Sequence, residues 1–264
     1  MSQLFAYSAF VLVCTVLFSI HKTRLGFAFL GFCTYLSGEW LLRLIYIHAW
    51  LCGYWLLCMC FIFPLIACSH SIVQIRRKYF HLLAVLMFGP PIIDRADLFL
   101  CVAGISVCGV FVVVEFVRRN FDELRPLNRV MEQYLDKKDL HTKFVSSHIQ
   151  LLIASLLPVA LSDDTEVRLA GLLTIGIGDS FAAIGGLTSR KTHKLPKSEK
   201  TFQGLFSFIV SVTLALFLLG KLSTESAFAT IAAGLSECYA KRYDNLIVPL
   251  VFSVCIIVNR SFIV

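Results

Sequence analysis

The sequence predicts an all-α, polytopic integral membrane protein, and three observations predict it. Apolar runs recur along nearly the whole chain, several approaching the ~20 residues that a helix needs to cross a bilayer. Of the 264 residues 58% are hydrophobic, and the mean hydropathy is +0.79. Only 16% are charged, against about 25% in a soluble domain. The net charge of +7 sits in a few loops, where it sets orientation in the membrane. Nucleic-acid binding explains it poorly. With nearly all its length in closely spaced spans, the chain reads as one membrane body.

Hydropathy gives roughly nine membrane segments: 4–20, 25–42, 44–68, 79–93, 98–117, 147–162, 167–187, 204–220 and 225–263. The last holds two passes, broken near Lys241–Asp244. The first lacks a basic leader and a clear small-residue cleavage site, so it is read as a retained span. The second carries Glu39, and Arg43 follows one turn later; an ion pair on one helix face is the better reading of the two. Nearly all ten cysteines lie in apolar runs, where cysteine behaves as a small hydrophobe. Their spacing suggests no zinc site. The fourth segment ends at Pro90-Pro91, and Asp94 follows in interfacial water.

The one long polar stretch is 118–147. Within it Phe121, Leu124, Leu127, Val130, Met131 and Tyr134 recur every three or four residues, as in an amphipathic helix lying on a surface. Pro126 predicts a kink there. The basic connections are His21–Arg24, Arg76–Lys78, Arg118–Lys143, Arg190–Lys200 and Lys241–Arg242. An even number of predicted spans separates each from the next, so all fall on one side, which the positive-inside rule makes cytoplasmic.

The stretch 171–200, GLLTIGIGDSFAAIGGLTSRKTHKLPKSEK, is where chemistry is expected. Intramembrane acids are costly and usually face a cavity or a partner, and Asp179 is set among small residues. Gly178, Ala182 and Gly186 form a stripe that lets another helix approach. Gly176 and Gly178 would let backbone N–H groups near phosphate oxygens. Arg190, Lys191, Lys194, Lys197 and Lys200 follow at once. An acid followed by a basic loop fits a polyanion and its metal: a carboxylate for Mg²⁺, cations for the phosphates, and a base for an attacking hydroxyl. Asp179 fits the metal or the base. Glu115, Asp136, Asp139 and His148 are the remaining candidates for a second carboxylate or a proton carrier. Gly186–Thr192 approaches a P-loop, but Arg190 stands where its second glycine belongs. A kinase here needs another fold.

Four stretches resemble one family. They are Arg77-Lys78-Tyr79-Phe80-His81, Glu115-Phe-Val-Arg118, Gly176-Ile-Gly178-Asp179-Ser-Phe-Ala182-Ala183-Ile-Gly185 with Lys200-Thr201, and Glu237 with Asp244-Asn245-Leu246-Ile247-Val248-Pro249-Leu250. In that order and spacing the chain resembles the C-terminal, catalytic part of the dolichol kinases, CTP-dependent polyprenol kinases of the endoplasmic reticulum. The resemblance implies membrane helices in 1–74, a catalytic domain in 75–264, and transfer of the γ-phosphoryl group of CTP to dolichol for protein glycosylation. It also implies a cytoplasmic nucleotide site around Gly176, Gly178, Asp179, Arg190, Lys191, Lys197, Lys200 and Thr201. Mg²⁺ or another divalent cation would sit at Asp179. The family's EGT after KT stands here as Gln203-Gly204-Leu205. Its aspartate-rich stretch stands as Asp136-Lys-Lys-Asp139, and its TH pair as Ser147-His148. Other readings are a phytol or other polyprenol kinase, a phospholipid cytidylyltransferase, a shortened inactive homologue acting as a scaffold, or a transporter.

Overall fold

The computed structural model describes residues 43–68, 73–120, 147–189, 193–240 and 243–261. The predicted spans 4–20 and 25–42, the residues Glu39, Asp136, Asp139, Arg190, Lys191, Lys241 and Arg242, and the amphipathic stretch 121–146 lie outside them. What is described is helical, with no strand among the described residues. In order run α1 (Ala49–Cys68), α2 (Val73–Ile93), α3 (Asp97–Asn120), α4 (Ser147–Leu161) and α5 (Thr165–Arg168). A π-helical segment (Leu172–Asp179) continues into α6 (Ser180–Thr188); α7 (Phe202–Leu218), α8 (Thr224–Tyr239) and α9 (Asp244–Ser261) complete the bundle.

Stretches of α1, α3 and α9 (Ala49–Ile66, Asp97–Phe116 and Asp244–Ser261) are long and apolar enough to cross a membrane. Shorter apolar helices run through α4, from Leu172 to Thr188, and through α7. The outward faces are apolar: Phe206, Phe217, Leu218 and Phe228 are all exposed, as a surface meeting lipid requires. The expected break near 241–244 falls between Tyr239 and Asp244. The fourth predicted segment is extended: α2 begins at Val73 and takes in the basic residues Arg76–Lys78, read from the sequence as loop.

The ends of the helices follow local chemistry. The Thr201 hydroxyl accepts from Gly204 N–H and caps α7. Ser223 and Ser226 form a reciprocal capping box at α8. Past α7, Gly220 (φ +64°) closes a Schellman turn, with Lys221 N–H on Leu216 C=O and Gly220 N–H on Phe217 C=O. Within α2, Pro90 and Pro91 have no N–H for the carbonyls four residues back, Leu86 and Met87. Tyr54 Oη donates to Leu86 O at 2.9 Å and Trp55 Nε1 to Met87 O at 2.6 Å. Two side chains of α1 thus supply the two donors the prolines lack.

The core lies where the π segment meets α7, α8 and α9, around Leu173, Phe208, Val212, Ala233, Phe252 and Ile256. The small-residue stripe faces α7. A Cβ on Gly178 would fall 2.5 Å from the Phe208 ring and one on Gly186 3.2 Å from Thr201 Oγ1; beside the stripe, one on Gly185 would fall 2.0 Å from Ser207 Oγ. A Cβ on Gly176 would fall 2.3 Å from Val85 of α2. The glycines therefore let the acid-bearing segment sit against two helices at once.

Candidate functional site

Lys78 and His81 are three residues apart on α2, so the helix puts them on one face. Across from them the π segment ends at Asp179. Lys78 Nζ donates to Asp179 Oδ2, and His81 Nδ1 lies 3.3 Å from the same oxygen. Asp179 keeps a fifth of its side chain accessible, whereas His81 is buried. The π geometry leaves carbonyls outside the usual ladder, and Ser180 Oγ donates to one of them, Gly176 O, at 2.7 Å.

Segment 193–201 brings the second cation. Leu195 N–H bonds Lys200 O, Phe202 N–H bonds His193 O, and a bridge joins Lys194 to Thr201. Leu195 is buried against Leu205 and Cys238. Ser198 Oγ donates to Cys238 O at 2.5 Å and accepts from Lys200 N–H. The loop is thereby fastened to the C-terminal end of α8, where Lys200 Nζ pairs with the buried carboxylate of Glu237. Burial works against the charge on Lys200, yet Glu237 and Asp179 hold its ammonium above the ordinary lysine range, with Asp244 adding to them.

A small cavity opens beside these groups. Its polar walls are Thr174, Asp179, Glu237, Asp244 and Asn245. It leaves about 10 Å³ for the centre of a water-sized body, about one water's or one ion's worth. A nucleoside triphosphate must lie outside it. The walls offer carboxylate, amide and hydroxyl oxygens, but among the described residues no three acid, histidine or cysteine side chains are grouped so as to hold a metal ion by themselves.

The structure brings together only part of what the sequence picked out. Asp179 and Lys200 are at the site. Lys197 is exposed at the tip of the loop with φ +58°. The Thr201 hydroxyl is engaged as a helix cap. Gly176 and Gly178 are accounted for by packing, a different use from the phosphate approach expected of them. Neither Glu115 nor His148 lines the cavity; Glu115 is buried on α3, and His148 meets the ring of Phe80 edge-on and that of Phe111 at a tilt. Gln203 Oε1 accepts from His193 N–H at 3.2 Å and steadies the loop. Lys78, His81, Glu237, Asp244 and Asn245 stand in the stretches that resemble the dolichol kinases, but the sequence reading gives none of them a role at the site. Their signals were the three-residue spacing of Lys78 and His81, and the cost of Glu237 and Asp244 within apolar segments.

Among curated proteins, dolichol kinase sec59 of Schizosaccharomyces pombe is 29% identical over 75% of this chain and 44% of its own length. The dolichol kinase of Homo sapiens is 32% identical over 69% of this chain and 38% of its own. Dolichol kinase EVAN of Arabidopsis thaliana is 31% identical over 85% of this chain and 42% of its own. The chain spans less than half the length of these relatives and matches their C-terminal part. No family model matches the chain, and no solved structure does.

Proposed function

We propose that this chain, similar over most of its length to the C-terminal part of the dolichol kinases, phosphorylates dolichol at the expense of CTP. The observation that carries this reading is the oxygen-lined cavity with Asp179 at its wall and two lysines at its edge. Phosphoryl transfer asks mostly for positioning and charge neutralisation. Lys78, Lys200 and the following basic loop (Arg190, Lys191 and Lys197) neutralise the triphosphate. The terminal hydroxyl of the polyprenol attacks the γ-phosphorus, the bond to the β–γ bridging oxygen breaks, and CDP leaves with the electron pair. Asp179 serves either as acceptor of the hydroxyl proton or as ligand of the divalent cation. Mg²⁺, when bound, would neutralise charge on the phosphate oxygens. Residues 75–264 carry the catalysis and 1–74 add membrane helices. The cytoplasmic placement of the basic loops puts the nucleotide site on that face of the endoplasmic reticulum membrane, and the isoprenoid lies along apolar helix faces.

The test is transfer from γ-labelled CTP to dolichol in membranes of cells lacking their own dolichol kinase, with ATP as control donor. Transfer from CTP is expected, and Asp179→Asn is expected to lower it roughly 10²–10⁴-fold at unchanged protein level. No transfer from a well-expressed, inserted chain would overturn the reading. Cytidine retained on the lipid would identify a cytidylyltransferase instead.

A further inference from the structure

Two side chains of α2 meet Asp179 on one oxygen. Lys78 Nζ donates to Oδ2, and His81 Nδ1 lies 3.3 Å from it. Neither contact uses Oδ1, and Asp179 lines the cavity while Lys78 and His81 do not. His81 is 5% exposed, and its Nδ1 completes no hydrogen bond. A buried polar atom left unpaired asks for an explanation. The packing brings this nitrogen to the acid: a Cβ on Gly176 would fall 2.3 Å from Val85 and 3.8 Å from His81 O. The missing side chain thus sets α2 close against the segment that ends in Asp179.

We propose that His81 is a positioning residue for Asp179: its Nδ1–H steadies Oδ2 while Lys78 attends to the phosphates, and so keeps Oδ1 turned to the cavity. A neutral imidazole has one N–H, and beside a carboxylate oxygen that proton belongs on Nδ1. An ionised carboxylate offers about four lone-pair sites, so Oδ2 can accept from both residues. The two donors differ in stiffness. Lysine is a point charge on a flexible stem and can follow a phosphate. The imidazole is short, planar and packed in, and it stays beside the acid. A small turn of the ring or the carboxylate completes the bond when the lysine's share falls away. Orientation matters at this group because a misplacement of about 1 Å can cost about 10²-fold in rate. The role rests on the proposed function for the reaction that Asp179 serves; the contact itself stands on geometry.

The first readout needs no turnover. Solid-state nitrogen NMR of the histidine-labelled chain in bilayers is expected to show the His81 proton on Nδ1, the resonance being assigned by its loss in the His81 variants. An Nδ1 without a proton would overturn the proposal. The second readout is transfer from γ-labelled CTP to dolichol by the purified chain. His81→Phe keeps a ring and removes the donor. Its kcat is expected to fall roughly 10–100-fold with KM for CTP unchanged, because His81 does not line the cavity. His81→Asn carries an amide nitrogen on the same carbon that bears Nδ1 and is expected to restore much of kcat. Packing alone predicts the reverse order, since Phe keeps the ring volume and Asn leaves a gap; Tm is expected to follow that reverse order. Wild-type kcat in His81→Phe, or a kcat that follows Tm across the variants, would overturn the proposal. Should His81→Phe not fold, His81→Asn is compared with His81→Gln, whose nitrogen lies one carbon further out and is expected not to restore kcat. No transfer by the wild-type chain with Nδ1 protonated would count against the kinase reading alone.

Discussion

The two ends of the bundle hold charge in opposite ways. At one end Arg168, 1% exposed, forks onto both carboxylate oxygens of Asp97 and donates to Ile92 O at 3.2 Å. Beside it Arg260 contacts Asp164 and, at 2.5 Å, Glu166. Roughly 24 Å away along α9, the carboxylates of Asp179 and Glu237 are met by lysines and border a cavity. Arginine gives a planar, two-pronged grip with little freedom; lysine gives a point charge that changes partner cheaply. The first end is a clasp that fixes α2, α3, α5 and α9 relative to one another. The second holds its charges in single lysine contacts beside open space. The difference teaches that one fold can bury ions in two geometries, a closed arginine fork and a lysine pair beside a cavity.

The comparison is broken most directly at the clasp. Arg168→Met leaves Asp97 without its partner, and unpairing a buried ion costs about 3–5 kcal/mol. Asp97 is 38% exposed, which places the loss near the lower figure; a fall in Tm measured in detergent checks it. Exchanging the cations sharpens the contrast. Arg168→Lys is expected to lower Tm while leaving transfer per folded molecule unchanged. Lys78→Arg is expected to keep Tm and lower kcat, because a fork on Asp179 resists release. If both substitutions act on stability alone, the two ends do not differ in kind. A smaller effect is expected for Trp55→Phe, which orphans the Met87 carbonyl, at about 1–3 kcal/mol, again read as Tm. Smallest is the response to pH. Lys200 is raised above its ordinary 10.5, so the stability it contributes is fully present below that value and is lost only as pH rises through the folded-state value. Melting between pH 6 and 9 should show no step from the Lys200 ammonium.

The all-α membrane class and the break after Tyr239 were legible because apolar runs and charged interruptions are local signals. That Asp179 would be paired and border a cavity was legible, because a lone acid inside an apolar segment needs a partner or open space. Lys78 was not, because the apolar run begins at Tyr79 and the lysine was assigned to the loop; only when α2 extends back to Val73 do Lys78 and His81 share a face. Glu237 was visible as an intramembrane acid, but its partner lies 37 residues earlier, and no periodicity reports such a pairing. Gly176 and Gly178 suggested an approach to phosphate because a missing side chain says that something comes close, without saying what. Here Val85 and the ring of Phe208 come close. The π geometry of Leu172–Asp179 leaves no pattern in the hydropathy at all.

The four residues Tyr54, Trp55, Pro90 and Pro91 have a consequence for heredity. Each aromatic donor is useful because a proline four residues past its acceptor carbonyl has no hydrogen to give. A lineage that replaced Pro90 or Pro91 would restore the helix's own bond and free the matching aromatic to drift. One that lost the aromatic first would carry an unpaired carbonyl until the proline changed. Descendants of this chain are therefore expected to keep or lose these residues as two linked pairs, so that a proline and its aromatic partner behave as a single inherited character written 36 positions apart.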